Sequence, residues 1–302
     1  MILVGDPQNK ALSESIAQNL SCELIYPNIF IFPDSEQRIK LDPDKILGQK
    51  VYILKSCNMP IDADTMQLAF LIDAAVRAGA DKVIGIVPYL SYMRADHVFR
   101  TGEASPLEIV IKLIEAAGLN EIIIVDPHSI KIPEMFKIGV KSLSALSLFA
   151  QKINEIEPNK ENITIVAPDM GGLRRIGQID QLLGGSINKV TINKDRDYNS
   201  GAVKVAEYKG EIRGRCFIVD DIISTGKTIL QAVEVLTDNG AEEVYVLATH
   251  PVFSKGSNKL LSDSKVKKIY VTNSIPVSDS ESYEKLGILS ISGLIAESIT
   301  NG

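Results

Sequence analysis

Three times along the chain the same phrase recurs: a helix-like stretch closes on Gly, a short polar turn follows, and an apolar strand-like run begins. It reads Ala78-Gly79 before Val83-Ile84-Gly85-Ile86-Val87, Ala117-Gly118 before Ile122-Ile123-Ile124-Val125, and Asn239-Gly240 before Val244-Tyr245-Val246-Leu247. Each Gly suits a helix C-cap that needs positive φ. The stretches before the glycines are amphipathic, as Leu107, Val110, Ile111 and Ile114 illustrate. Repeated βα units of this kind predict an α/β fold in which mainly parallel sheets are flanked by helices. Their irregular spacing excludes a solenoid. A chain of 302 residues accommodates two domains of roughly 150 residues, which we place at 1–145 and 146–302. Between the halves, 155–162 is the most polar connector, and it precedes Ile163-Thr164-Ile165-Val166-Ala167, the expected first strand of the second sheet.

Charge narrows the partners. Lys and Arg total 32 against 38 Asp and Glu, a net charge of −6, so no broad basic surface is expected for a nucleic-acid backbone. Any anionic ligand must be met by local geometry. Cysteines at 22, 57 and 216 are odd in number and far apart, which argues against a disulfide framework and for a reducing compartment. The start, Met1-Ile2-Leu3-Val4-Gly5-Asp6, lacks the basic region of a signal peptide, and no apolar run reaches membrane-spanning length. A soluble, cytoplasmic protein is expected, with no nucleic-acid or membrane partner.

The stretch from Cys216 to Ile229 carries the most chemistry. An apolar run ends in Asp220-Asp221, then comes Ile222-Ile223-Ser224-Thr225-Gly226-Lys227-Thr228, then a helical pattern with Ile229, Val233 and Leu236. A turn between a strand end and a helix N-terminus can hold a phosphate dianion on its backbone N–H groups, helped by the hydroxyls of Ser224, Thr225 and Thr228. Ionised Asp220 and Asp221 can only accept hydrogen bonds, and vicinal sugar hydroxyls are suitable donors. The segment therefore reads as a sugar-phosphate site. A triphosphate-binding loop would need Gly where Asp221 stands.

Functional residues in such sheets lie at strand carboxyl ends, and the other strand ends are equally rich. They carry Pro88-Tyr89 through Arg94-Ala95-Asp96, Asp126-Pro127-His128, Pro168-Asp169-Met170-Gly171-Gly172, and Lys194-Asp195-Arg196 after Val190-Thr191-Ile192. In this order, together with Phe32-Pro33-Asp34-Ser35-Glu36 and Thr272-Asn273-Ser274-Ile275-Pro276, they resemble the ribose-phosphate diphosphokinase (PRPP synthetase) family from end to end. Its patterns there are Phe-Pro-Asp-Gly-Glu, Pro-Tyr…Arg-Gln-Asp, Asp-Leu-His, Pro-Asp-x-Gly-Gly, Lys-x-Arg and Thr-Asn-Thr-Ile-Pro.

The resemblance implies two similar domains of the type I phosphoribosyltransferase fold. It also implies transfer of the β,γ-diphosphoryl group of ATP to the C1 hydroxyl of ribose 5-phosphate, giving PRPP and AMP. By the same resemblance Phe32, Asp34, Ser35, Glu36, Arg94, Asp96 and His128 bind ATP, and His128 and Asp169 contact Mg²⁺. The 220–228 segment, Gly226 and Lys227 included, holds ribose 5-phosphate together with Arg196. Lys194 and Arg196 form a catalytic pair. They sit at alternate positions of an extended segment, so both cations can face the transferring group, and the polar residues after them suit a mobile flap. In the family the 32–36 loop serves a neighbouring subunit, which implies a homodimer or larger homo-oligomer.

Four departures stand out. Ser35 replaces Gly, a change without consequence if positive φ is not needed there. Ala95 replaces Gln, Lys227 stands where many members carry Gly, and Gly102-Glu103-Ala104 follows the Arg94 segment. These look most like the archaeal type. Two other functions stay in view. A phosphoribosyltransferase that consumes PRPP would explain 220–228 but leave the first 150 residues or so without a role. A catalytically silent relative would have lost one of Lys194, Arg196, His128 or Asp169.

Overall fold

The computed structural model describes residues 1–98, 100–196 and 203–301, with the side chains of 193–196 and 203–206 outside the description. Two compact units emerge. The first comprises Met1–Leu143, Ser274–Pro276 and Ser290–Gly302, and the second Ser144–Asn273 and Val277–Leu289.

In the first unit the chain runs β1 (Ile2–Val4), α1 (Lys10–Leu20), β2 (Glu23–Ile25), β3 (Asn28–Ile31), β4 (Gln37–Lys40), α2 (Pro43–Ile46), β5 (Lys50–Leu54), α3 (Ile61–Arg77), β6 (Lys82–Val87), α4 (Pro106–Ala116), β7 (Glu121–Val125) and β8 (Gly139–Leu143). Six strands in the order β2-β1-β5-β6-β7-β8 form one sheet, and every pair in it is parallel. Its strands read as apolar runs because both faces are covered: Val51–Leu54, Val83–Val87 and Ile122–Val125 are buried without a break. The residues buried on α4 are Leu107, Val110, Ile111 and Ile114, the face its spacing predicts. At the sheet's carboxyl edge the fully buried Lys55 lies 3.0 Å from Asp64 and 3.7 Å from Asp6, and donates to Gln8 Oε1 at 3.2 Å. Its charge is thus compensated rather than stranded. The antiparallel hairpin β3–β4 stands apart as its own two-stranded sheet.

The second unit continues with α5 (Leu146–Ile156), β9 (Ile163–Ala167), α6 (Leu173–Leu182), β10 (Asn188–Arg196), β11 (Val203–Lys209), β12 (Arg215–Ile223), α7 (Lys227–Asp238), β13 (Glu243–Pro251), α8 (Ser257–Ser262), β14 (Lys268–Thr272) and β15 (Leu286–Leu289). The strand order is β11-β10-β9-β12-β13-β14-β15, parallel except for β10–β11. Strand alternation divides its core into two layers. Cys216, Ile218, Val244 and Val246 pack with Ile229, Val233 and Leu236 of α7. Phe217, Val219, Tyr245 and Leu247 pack with Phe149 and Ile153 of α5 and Ile176 and Ile179 of α6. The final helix, α9 (Ser292–Thr300), belongs to the first unit, so a single cut between 145 and 146 does not separate the compact units.

Two readings of the sequence change here. The polar stretch 155–162 is an internal connection of the second unit, not a linker between units. Its Glu157 accepts from Asn159 N at 2.9 Å, Asn162 Nδ2 at 3.2 Å and Arg215 Nη1 at 2.7 Å. Its polarity serves these bonds. Strand β10 runs on from Ile192 through Arg196, pairing with β11 after a register shift between Ile192 and Lys194. Lys194 and Arg196 therefore lie within a strand rather than after one.

Candidate active site

The segment expected to hold a sugar phosphate begins inside β12. The ladder with β9 ends at Ile218↔Val166, whereas that with β13 runs on to Ile223↔Pro251. Asp220 and Asp221 therefore belong to the strand, where its β9 side has become open, rather than to the turn after it. Ser224, Thr225 and Gly226 form the turn, and α7 starts at Lys227. Gly226 adopts φ +76, a conformation that favours Gly, and a Cβ there would press on the Leu261 side chain at 3.2 Å. The Ser224 and Ser254 hydroxyls lie 2.8 Å apart, and Lys227 N donates to Thr225 Oγ1 at 3.4 Å. The first amides of a helix have no intrahelical acceptor, so the start of α7 offers donors beside these hydroxyls. Lys227 is exposed and Thr228 half-buried.

A residue that the sequence pattern gave no role lies against the two carboxylates. Arg175, early in α6, places Nη1 3.2 Å from Asp220 Oδ1 and Nη2 3.0 Å from Asp221 Oδ1. The only hint of it in the sequence is the Arg174-Arg175 pair just after Gly171-Gly172. Asp221 N also donates to Asp220 Oδ1, at 2.9 Å. Burial, then the charge of Asp221 and its hydrogen bond, push the Asp220 carboxyl up to about 8; Arg175 opposes this and Asp169 adds to it. The acceptor role expected of Asp220 thus works against its own surroundings when no ligand is bound.

Asp169 precedes the single turn Met170–Gly172 in extended backbone. The two glycines allow the chain to fold back here: a Cβ on Gly172 would lie 3.1 Å from Ala167 Cβ, and one on Gly171 3.2 Å from Asp169 Oδ1. Among the described residues no group of three or more His, Cys, Asp or Glu forms a cage for a metal. Mg²⁺ keeps several waters and takes one or two carboxylates together with substrate phosphates. Asp169, a hard oxygen donor within the field of Asp220, fits an ion held in that way.

The first unit carries the residues expected to hold a nucleotide. Hairpin β3–β4 is closed by Phe32 N donating to Glu36 O at 2.8 Å and Ser35 N to Phe32 O at 2.9 Å, while Asp34 Oδ1 accepts from Glu36 N at 3.2 Å. Ser35 has φ +73. Positive φ is therefore required at this position, contrary to the condition under which Ser would be harmless, and Ser bears a strain Gly would not. Phe30 and Phe32 meet edge to face at 4.8 Å, Arg38 lies 5.5 and 5.8 Å from their rings, and both phenylalanines remain largely exposed. After β6, Tyr89, Ser91 and Met93 are buried, with the Ser91 hydroxyl 2.7 Å from that of Thr65. Arg94 is exposed at the end of this anchored segment, and Asp96 Oδ1 lies 2.7 Å from His97 Nδ1. His128 is exposed on the loop after β7, where Asp126 adopts φ +36 and donates its N–H to Leu143 O at 2.9 Å.

Residues 32–36, 94, 96 and 128 thus fall in one compact unit, and 169, 194, 196 and 220–228 in the other. Segment 197–202, expected to form the flap, lies outside the described residues, as do the side chains of Lys194 and Arg196.

Two helix-flanked, mainly parallel sheets, one bearing paired carboxylates ahead of a hydroxyl-rich turn, define an α/β protein of the phosphoribosyltransferase fold type. Residues 1–118 match the model of the N-terminal domain of ribose phosphate pyrophosphokinase, and 201–301 that of the phosphoribosyl synthetase-associated domain. The ribose-phosphate pyrophosphokinase of Staphylococcus epidermidis is 34% identical over 96% of this chain and 90% of its own length. That of Aquifex aeolicus is 33% identical over 98% and 94%. The crystal structure of phosphoribosylpyrophosphate synthetase from Mycobacterium smegmatis superposes with a TM-score of 0.90 at 28% identity, covering 100% of this chain and 99% of that one. The chain belongs to the ribose-phosphate pyrophosphokinase family.

Proposed function

We propose that the chain transfers the β,γ-diphosphoryl group of ATP to the C1 hydroxyl of ribose 5-phosphate, releasing AMP and producing PRPP for nucleotide biosynthesis. The observation that carries this reading is the pairing of Asp220 and Asp221 on β12 with the 224–226 turn and the start of α7, in a chain similar to these enzymes along nearly its whole length. In the reaction the C1 oxygen attacks the β-phosphorus and loses its proton. The bond from that phosphorus to the oxygen bridging to the α-phosphorus breaks, and AMP leaves with its electron pair.

The protein's part is binding, alignment and charge stabilisation. Asp220 and Asp221 accept from vicinal ribose hydroxyls, while Ser224, Thr225, Gly226, Lys227, Thr228 and the first amides of α7 hold the 5-phosphate. Asp34 and Glu36 with Phe32 read adenine, and Arg94 and Asp96 support the ATP phosphates. Lys194 and Arg196 meet the charge that develops on the transferring group. Asp169 and His128 would each be available to contact Mg²⁺, which would supply charge neutralisation on the phosphates. The exposed Phe30, Ile31 and Phe32 of the β3–β4 hairpin support its use by a second copy of the chain, hence a homodimer or larger assembly. Three free thiols accord with work in the cytoplasm.

The test is direct: purified protein, ATP, Mg²⁺ and ribose 5-phosphate, with AMP measured. AMP no higher than in a control without sugar would reject the reading.

A further inference from the structure

Strand alternation sends neighbouring residues to opposite faces, yet one guanidinium touches the carboxylates of both Asp220 and Asp221. This is possible because the β9 ladder stops at Ile218↔Val166, leaving the β12 edge open, and because the Gly171-Gly172 turn leads directly into α6. Arg175 does not serve to dock that helix. Ile176 and Ile179 do so, at 2% and 0% exposure, while the Arg175 side chain keeps 18%. The side chains it spans are 14% and 7% exposed, so they form a largely enclosed acidic pair, and among the described residues Arg175 sets one cation against both of its members.

We propose that Arg175 is a positioning residue of the sugar site, clamping Asp220 and Asp221 in the orientation that accepts the vicinal hydroxyls of ribose 5-phosphate. The inference rests on the sugar-phosphate reading of this segment. Two adjacent carboxylates repel each other, and one guanidinium bonded to both, at 3.2 and 3.0 Å, offsets that repulsion and fixes where their remaining lone pairs point. A guanidinium suits the task because its planar fork addresses two oxygens at once, whereas an ammonium is a single point charge. Arg175 touches the acceptors rather than the reacting atoms, so its loss should appear in sugar binding before it appears in anything else.

The test measures binding of ribose 5-phosphate by titration calorimetry, with Mg²⁺ and a non-hydrolysable ATP analogue present, for wild type, Arg175→Ala and Arg175→Lys. Binding of the analogue alone and the melting temperature serve as controls. Arg175→Ala is expected to weaken the sugar roughly tenfold or more, the scale of a hydrogen bond to a charged group, with analogue affinity within about twofold. Arg175→Lys should recover part of the loss. Unchanged sugar affinity in Arg175→Ala overturns the proposal, and so does an equal loss for both ligands with a lowered melting temperature, which marks a purely structural ion pair. Should the Ala variant not fold, the Lys variant decides: it must bind the sugar more weakly than wild type while binding the analogue equally. AMP production by wild type is assayed separately. Its absence would reject the diphosphoryl-transfer reading, while the calorimetric comparison would still decide the role of Arg175.

Discussion

At the scale of single residues, the Asp220 carboxyl carries the sharpest tension in the molecule. Burial and Asp221 push its pKa from an ordinary 3.8 to about 8, against the pull of Arg175. In the ligand-free protein the folded state therefore holds a proton that the unfolded chain has already released above the ordinary carboxylate range. Stability must fall as pH rises from that range through about 8 and level off on either side. With Mg²⁺ and substrates absent, the melting temperature should decline over this interval, and Asp220→Asn should flatten the decline. A variant with the same slope as wild type would show that another group sets it. With ligands present, Asp220→Ala should raise the Michaelis constant for ribose 5-phosphate far more than that for ATP, by roughly 1.5–3 kcal/mol in free-energy terms. An unchanged sugar constant removes Asp220 from the site.

At the scale of elements, legibility followed locality. The α7 and α4 faces and the Gly caps could be read from spacing alone, because burial on a helix or strand repeats with its own period. Gly79, Gly118 and Gly240 all take positive φ. Arg175 could not be read, because its partners lie on β12 and only the early end of β9 lets it reach them. Ser35 shows the same limit: whether a turn needs positive φ depends on the hairpin's closing bonds, which the five residues do not encode by themselves. Strand β10 is the element that most repays a functional test. Its backbone places 194 and 196 at alternate positions opposite Val205 and Val203, a scaffold suited to presenting two cations together. Lys194→Ala should lower kcat by roughly a hundredfold or more, the scale for losing one positioned electrostatic stabiliser, while both substrates still bind. A kcat within about threefold of wild type would make Lys194 a surface charge, since that is far short of the loss such a stabiliser causes.

At the scale of the whole molecule, chain order and compactness part company at the carboxyl terminus. Strand β15 completes the second sheet beside β14, and the chain then supplies α9 to the first unit, packed against α1 and β8. Ser15 Oγ donates to Ser292 Oγ at 2.8 Å, Lys141 Nζ donates to Ser298 O at 2.8 Å, and Ile295 is fully buried. The exposed Phe30, Ile31 and Phe32 of the first unit should be covered by a second copy, so light scattering is expected to find at least a dimer; an active monomer at working concentration defeats that. The role of α9 makes the stronger test, because chain order and packing predict opposite outcomes. Ile295→Ala removes a fully buried side chain and should cost about 2–5 kcal/mol. If the units are as the packing defines them, hydrogen exchange will quicken in α1 and β8, which are remote in sequence, and leave β14 and β15 nearly unchanged although β15 lies only a short loop away. Faster exchange in β14 and β15 with α1 and β8 still protected would mean that α9 supports the second unit instead.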